Sequence, residues 1–264
     1  MKRVSSRQNP LVARYRAAAR GETSGVLLLD GVHLVSEAVA AGVRIRHAAV
    51  KTGAMNITEI GVLVDKLARS SADVVMASAS VMDALSPVRS SSTIVALADR
   101  PSASEQAVYR HDAPLVVTAI DVQDPGNIGA IVRVAEAGGA TAVLVAGACA
   151  DPFGWKALRG SMGSALRLPI LVEHDADRAV ADARRHGCRI VATVPRAGRS
   201  LFDVAYTGPV AVLIGGEGPG LPPAVIDAAD ERVTIPMQTP VESLNAAVTA
   251  ALIVYEARRQ RTSH

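Results

Sequence analysis

The stretch that most constrains the fold lies in the last quarter of the chain, where AVLIGGEGPGLP occupies residues 211–222. Its first four residues are apolar and predict a buried strand, and the glycines that follow predict a tight loop. A second strand is predicted over residues 233–237, and a long helix is predicted to begin at or close to Ser243. One apolar face is predicted on this helix from residues that recur at helical spacing, which are Leu244, Ala247, Val248, Ala251, Leu252 and Tyr255. Two bent loops therefore meet one helix N-terminus, where backbone amides and carbonyls are open to a ligand. This arrangement predicts a small-molecule pocket.

Apolar segments of strand length alternate with helical segments from residue 114 onward. These segments are rich in Val, Ile and Leu, which is typical of parallel strands that helices cover on both faces. Ligands of such sheets bind beyond the carboxyl ends of the strands. We expect the loops after Val122, Val194, Gly216 and Met237 to lie at those ends.

The chain is long enough for two domains. Residues 25–98 show their own alternation of strands and helices, and a polar stretch with Pro and Ser follows them. We therefore predict a smaller α/β domain over residues 1–100, a linker over 101–113 and a larger α/β domain over 114–264.

Composition narrows the class of protein. Hydrophobic residues make up 49% of the chain and aromatic residues only 3%, so the core must consist mostly of Ala, Val, Leu and Ile. No apolar run reaches the ~18 residues of a membrane span, and no signal peptide is evident. With only Cys149 and Cys188, neither a disulfide framework nor a metal cluster is indicated. We expect a cytoplasmic protein without a metal.

Positive charge is concentrated at the N-terminus. The formal net charge is only +3, yet residues 1–21 contain no acidic residue. A basic segment of this kind either contacts a polyanion or forms a solvated first helix, and the sequence leaves both interpretations open. The basic residues of the segment are Lys2, Arg3, Arg7, Arg14, Arg16 and Arg20.

The polar residues near the predicted strand ends are individually ordinary. The loop GGEGPG lacks the Lys-Ser/Thr of a Walker loop, and it does not have the glycine spacing of a dinucleotide-binding fingerprint. Asn127 in DPGN could be a helix cap, and Ser243 could be another. The combination of Asn127, Glu217 and Asn245 at three strand-end loops is what indicates a functional site.

Three segments resemble the motifs of the SpoU (TrmH-like) family of RNA ribose 2′-O-methyltransferases, which belongs to the SPOUT superfamily. They are DVQDPGNIGAIVRVAEAGGA at 121–140, LIGGEGPGLP at 213–222 and IPMQTPVESLNAAVTAALIVYEARRQ at 235–260. Residues 151–170 are also similar to the family. Residues 27–43 resemble its substrate-binding domain, although Asp30 replaces the usual Glu and SSST at 90–93 replaces the usual Pro-Gln-Gly.

The resemblance implies methyl transfer from S-adenosylmethionine to a ribose 2′-hydroxyl of structured RNA, with ribosomal RNA as the favoured target. It further implies a trefoil knot in the C-terminal domain, an N-terminal RNA-binding domain with a ribosomal-protein-like fold, and a homodimer. General packing rules would not have predicted the knot, because knots are almost absent from proteins.

Residue roles also follow from the resemblance. Arg133 is implied to be the central catalytic residue. A guanidinium with a pKa above ~12 is a very weak base, so we favour Arg133 as a group that binds phosphate and orients the 2′-hydroxyl. The acceptor of the hydroxyl proton stays open. The implied catalytic set is Arg133, Asn127, Glu217, Ser243 and Asn245.

Cofactor contacts are expected mainly from the backbone of the glycine- and proline-containing loops. Ile235 and Leu244 are expected to enclose the adenine, although both could simply be core residues. The expected cofactor-binding residues are Thr193, Val194, Gly215, Gly216, Ile235, Met237 and Leu244.

Three other hypotheses stay open at this level. The chain could methylate transfer RNA, or it could be a non-catalytic RNA-binding protein of the same fold. It could also be a nucleotide-binding enzyme of the doubly wound class, although the missing fingerprint glycines argue against this.

Overall fold

The computed structural model describes residues 1–262, which divide into two compact units. Unit 1 comprises Met1–Pro101 and Phe153–Arg167, and unit 2 comprises Ser102–Pro152 and the chain from Leu168 onward. No helix within residues 1–262 is long and apolar enough to cross a membrane.

Unit 1 contains a five-stranded mixed sheet in the order β1-β4-β3-β5-β2. Strands β1, β4 and β3 are parallel, and β5 is antiparallel to β3 and β2. The elements are β1 (Lys2–Val4), α1 (Pro10–Ala19), β2 (Val26–Asp30), α2 (Val32–Ala40), β3 (Ile45–Lys51), a 3-10 turn (Ala54–Asn56), α3 (Thr58–Arg69), β4 (Asp73–Ala77), α4 (Ala79–Leu85) and β5 (Ile94–Asp99).

The basic N-terminal segment is a strand followed by a helix. Asn9 caps α1 by accepting a hydrogen bond from the Leu11 amide at 3.0 Å, and Pro10 occupies the first helical position. The fully buried Tyr15 hydroxyl lies 2.8 Å from His47 Nδ1 on β3, so α1 is joined to the sheet by a buried polar contact.

Unit 2 contains a seven-stranded sheet in the order β10-β12-β9-β11-β6-β7-β8, in which every pairing is parallel. The predicted large parallel sheet after residue 113 is therefore confirmed. The elements are α5 (Glu105–Val108), β6 (Leu115–Ile120), α6 (Pro125–Gly138), β7 (Ala142–Ala146), β8 (Ile170–Glu173), α8 (Ala176–Arg185), β9 (Arg189–Thr193), β10 (Arg199–Ser200), β11 (Val210–Gly215), α9 (Pro223–Asp227), β12 (Glu231–Thr234) and α10 (Ala246–Thr262).

The sequence boundaries differ from these units in two places. The expected linker 101–113 contains α5, and Val108 and Tyr109 are buried in the core of unit 2. The excursion Phe153–Arg167, with α7 (Trp155–Ser161) and a 3-10 turn (Ser164–Leu166), folds onto unit 1. The polarity of residues 101–113 could not show that this segment packs in unit 2, and sequence order could not show that Phe153–Arg167 packs in unit 1. The functional assignment of the two domains stays a prediction.

Specific contacts hold the excursion within unit 1. The Arg100 guanidinium lies 4.6 Å from the ring centroid of Phe153. Arg167 forms an ion pair with Glu37 on α2, and His33 Nε2 lies 3.2 Å from the carbonyl oxygen of Met162. The segment that follows β7 in sequence is therefore a structural part of the first unit.

Three local predictions were wrong. Asp124, not Asn127, caps α6, since Asp124 Oδ1 accepts from the Asn127 amide at 2.8 Å. Asn245, not Ser243, caps α10, since Asn245 Oδ1 accepts from the Ala247 amide at 2.9 Å, and the helix begins at Ala246, close to the expected start. Strand β12 runs over Glu231–Thr234 rather than 233–237.

The apolar face of α10 also differs from the expected one. Helical spacing placed Leu252 and Tyr255 on the apolar face, but these side chains are 42% and 51% exposed. Val248, which was expected on the same face, is 46% exposed. The buried face instead consists mainly of Ala246, Ala247, Ala250, Ile253, Val254 and Ala257. Four of these six residues are alanines, which lets α10 pack closely on α6.

Candidate functional site

A pocket of about 350 Å³ lies at the carboxyl ends of β9, β11 and β12. Its volume lies within the range of about 300–1,000 Å³ that is typical of small-molecule sites. The lining residues are Thr193, Val194, Pro195, Ile214, Gly215, Gly216, Glu217, Gly218, Pro219, Gly220, Leu221, Ile226, Val233, Ile235, Met237, Ser243, Leu244, Asn245, Ala246 and Thr249.

Strand order explains why these loops converge. Strand β11 lies between β9 and β6, and β9 pairs with β12 on its other side. Because all four strands are parallel, their carboxyl ends lie along one edge of the sheet. The loops after Thr193, Gly215 and Thr234 therefore surround a common space.

Two glycines at the end of β11 permit close approach of the backbone. A Cβ on Gly216 would lie 2.0 Å from the Asp121 carbonyl oxygen. A Cβ on Gly215 would lie 2.4 Å from the Leu221 amide nitrogen. Neither atom belongs to a flexible side chain, so the glycines are required for the loop to fold back beside β6.

A side-chain hydrogen-bond network joins the three motif segments. Asn127 Nδ2 donates to Glu217 Oε1, and Asn245 Nδ2 donates to Asn127 Oδ1 at 3.0 Å. Both polar atoms of the Asn127 amide are thereby used. The network fixes the start of α6 against the glycine loop and the start of α10.

Arg133 lies apart from this network. It is exposed on α6, six residues beyond Asn127, which is about 9 Å along a helix. Within residues 1–262 it has no hydrogen-bond or ion-pair partner, and it is not among the pocket-lining residues. Of the five implied catalytic residues, Glu217, Ser243 and Asn245 line the pocket and Asn127 is bonded to two of them. Their catalytic roles stay predictions.

The seven expected cofactor-binding residues all line the pocket. These are Thr193, Val194, Gly215, Gly216, Ile235, Met237 and Leu244. Whether they bind a cofactor stays a prediction. Sequence reasoning did not single out Pro195 or Thr249. Helical periodicity could have indicated Thr249, because it lies one turn after Asn245 on the same face of α10.

Glu217 is the sole charged residue among the described residues that line the pocket.

The nearby Cys149 thiol accepts a hydrogen bond from the Val122 amide at 3.1 Å. Burial raises the pKa of Cys149, so this thiol is a structural group rather than a nucleophile. Within residues 1–262, no cluster of His, Cys, Asp and Glu could hold a metal ion.

Comparisons with known proteins point to one family. The sequence profile of the SpoU rRNA Methylase family matches residues 114–255. An uncharacterized tRNA/rRNA methyltransferase of Synechocystis sp. is 32% identical over 98% of this chain and 94% of its own length. The 23S rRNA (guanosine(2553)-2′-O)-methyltransferase RlmP of Bacillus subtilis is 27% identical over 98% of this chain and 100% of its own length.

A solved structure shows the same fold along the chain. The AdoMet-bound rRNA methyltransferase from Sinorhizobium meliloti aligns with a TM-score of 0.88 and 26% sequence identity. The alignment covers 98% of this chain and 97% of that one.

Proposed function

The chain belongs to the SpoU rRNA Methylase family, and from this premise we propose that it transfers the methyl group of S-adenosylmethionine to a ribose 2′-hydroxyl of ribosomal RNA. The observation that carries the proposal is the joined network of Asn127, Glu217 and Asn245 beside the pocket. The named activity of the Bacillus relative supports ribosomal RNA as the substrate class.

The pocket suits S-adenosylmethionine in size and chemistry. Its wall is largely apolar, with Ile235 and Leu244 available to enclose an adenine. The glycine loop offers backbone amides and carbonyls without side chains in the way. When bound there, S-adenosylmethionine supplies a methyl group activated by its sulfonium.

We assign binding of the RNA substrate to Arg133. Among residues 1–262 its guanidinium has no partner, and it is exposed, so it can bind a substrate phosphate with two parallel hydrogen bonds and orient the adjacent 2′-hydroxyl. In the reaction the hydroxyl oxygen forms a bond to the methyl carbon as the sulfur–methyl bond breaks, and the hydroxyl proton leaves to the phosphate or to water. Asn127, Glu217, Ser243 and Asn245 hold the surrounding loops and the reacting groups.

We further propose that the C-terminal segment forms a trefoil knot and that unit 1 is an RNA-binding domain with a ribosomal-protein-like fold. We also propose that the enzyme acts in the cytoplasm as a homodimer. An exposed apolar stripe on α10, formed by Val248, Leu252 and Tyr255, supports the dimer because these side chains lie about one helical turn apart. Such a stripe is unfavourable in water unless a second surface covers it.

The proposal is tested by mapping 2′-O-methyl groups in ribosomal and transfer RNA from a deletion strain and from the same strain carrying the wild-type protein. We expect one ribosomal site to lose its methyl group and to regain it on complementation. Loss at a transfer RNA site would replace the proposed substrate. If S-adenosylmethionine binds but no site changes, the protein would be a non-catalytic member of the family.

A further inference from the structure

The described residues that line the pocket include no cation to receive the carboxylate of a cofactor. S-adenosylmethionine carries a methionine carboxylate, whereas the charged residue of the lining, within the part of the chain that the structure describes, is Glu217. A buried or half-buried carboxylate is stabilised by a nearby cation. A cation at the rim of the pocket can supply this stabilisation.

Within residues 1–262, two arginines are next to a pocket-lining residue in the sequence. Only one of them is placed so that it can reach a ligand in the pocket. Arg232 precedes Val233 on β12, but neighbouring strand residues point to opposite faces, and Arg232 pairs with Asp227 at 2.8 Å. Arg196 directly follows Pro195 in the loop after β9, at the rim of the pocket.

The turn that carries Arg196 is fixed by one hydroxyl group. Thr234 Oγ1 donates to the Val194 carbonyl at 3.1 Å and accepts from the Gly198 amide at 2.9 Å. Gly198 has no room for a side chain, because an added Cβ would lie 2.6 Å from the same hydroxyl and 2.8 Å from backbone. The backbone from which the guanidinium projects is therefore held beside the pocket.

The guanidinium of Arg196 is held by a weak and exchangeable partner. Its Nη2 donates to Glu242 Oε1 at 3.1 Å, and the two side chains are 73% and 80% exposed. Glu242 directly precedes Ser243, another lining residue, so the ion pair joins two segments of the rim. Exposed ion pairs contribute little to stability, since water competes for each partner. Arg196 can thus exchange Glu242 for another anion at small cost.

We propose that Arg196 binds the methionine carboxylate of S-adenosylmethionine and that Glu242 forms an ion pair with Arg196 when the cofactor is absent. This inference rests on the proposed function, and it names a binding residue outside the implied motif set.

The test compares three ligands by isothermal titration calorimetry. S-adenosylmethionine and S-adenosylhomocysteine contain the carboxylate, whereas 5′-methylthioadenosine lacks the amino-acid portion. For Arg196→Gln we expect about tenfold weaker binding of the first two ligands, which is about 1.4 kcal/mol, and unchanged binding of 5′-methylthioadenosine. For Glu242→Gln we expect binding of the first two to tighten by about two- to fivefold, because the competing anion is gone.

Arg232→Gln is the matched control, because it removes the same charge from the same unit without changing the rim. It should bind all three ligands as the wild type does. Equal weakening of all three ligands by Arg196→Gln would overturn the proposal in favour of a structural role. Unchanged cofactor binding with weakened RNA binding would assign Arg196 to a phosphate instead and would also overturn it. If the wild type binds no S-adenosylmethionine, the proposed function itself fails.

Discussion

Asn245 donates a hydrogen bond to Asn127 at 3.0 Å, although 118 residues separate them in the chain. Asn127 in turn donates to Glu217, which lies 90 residues farther along. Asn127 lies in the first turn of α6, Glu217 follows β11 and Asn245 precedes α10, so the contact depends on all three segments having their native positions. Substitutions that keep the shape of these side chains but change their hydrogen-bond donors and acceptors should therefore disturb the geometry of the site.

The substitution Asn127→Asp keeps the shape and removes the donor that faces Glu217. Two carboxylates would then be adjacent, and we expect the methyl-transfer rate to fall by about two orders of magnitude, about 2.7 kcal/mol in the barrier. Single-turnover rates at saturating RNA and cofactor measure this. Adding Glu217→Gln should restore part of the loss if the network has a positioning role. No recovery would assign Glu217 a separate chemical role.

Arg133 should contribute geometry as well as charge. Lysine keeps the charge but lacks the planar group that binds two oxygens, so Arg133→Lys should lower the rate by about 100-fold or more, roughly 3 kcal/mol. Arg133→Ala should abolish turnover, and both variants should bind S-adenosylmethionine normally. Arg178→Lys on α8 is the control. A lysine variant with a nearly normal rate would refute the orienting role.

Dimer formation should depend on the exposed stripe of α10. Leu252→Glu places a charge within the apolar surface, and we expect a monomer by sedimentation velocity at micromolar concentration, where the wild type is dimeric. Val62→Glu on α3 is the control, because Val62 is 52% exposed and belongs to unit 1. A monomeric wild type, or a dimer that survives Leu252→Glu, would contradict this assignment.

The close contact between α6 and α10 predicts an unusual response to a helical Gly→Ala change. Alanine is normally favoured over glycine inside a helix by about 1 kcal/mol. Gly138 is the last residue of α6, and a Cβ there would lie 2.2 Å from Val254 Cγ1. We expect Gly138→Ala to lower the free energy of unfolding by about 1–3 kcal/mol.

Denaturant unfolding measures this change, and Val254→Ala provides the matched test. The double variant should be more stable than the sum of the single effects predicts, because the added methyl group then has room. Additive losses would mean that the contact at Val254 is not the cause.

His47 should make the stability of unit 1 depend on pH. Burial is the main cause that lowers the pKa of His47 below its usual value near 6.5, and the charge of Arg14 also lowers it, whereas Asp73 opposes the shift. The unfolded chain therefore takes up the proton first as pH falls. The contribution to stability is complete above about pH 6.5 and decreases as the pH falls from there towards the lowered pKa of the folded state.

Urea unfolding between pH 7.5 and pH 5 tests this dependence. His47→Asn places an amide oxygen near the former Nδ1 and can still accept from Tyr15, but it does not titrate. We expect this variant to lose that part of the pH dependence. An unchanged slope would assign the dependence to other groups.

Local patterns in the sequence determined the class of fold and most of the pocket. Runs such as residues 211–214 are apolar throughout, which predicts buried parallel strands, and glycine and proline after them predict strand-end loops. Since parallel strands share one edge for their carboxyl ends, the loop residues could be assigned to one place without a structure. The family motifs then supplied Arg133 and the identity of the cofactor.

Only the tertiary structure decided which side chains meet. The sequence did not show that Asn127 would bond to Glu217, that Asn245 would cap α10, or that Arg196 would pair with Glu242. These contacts follow from strand order and from the paths of loops that are far apart in the chain. Periodicity also could not decide which face of α10 is buried, because alanine-rich and leucine-containing faces are both apolar. Packing against α6 selects the face that carries the four alanines with Ile253 and Val254, and the missing side chain at Gly138 leaves room for Val254.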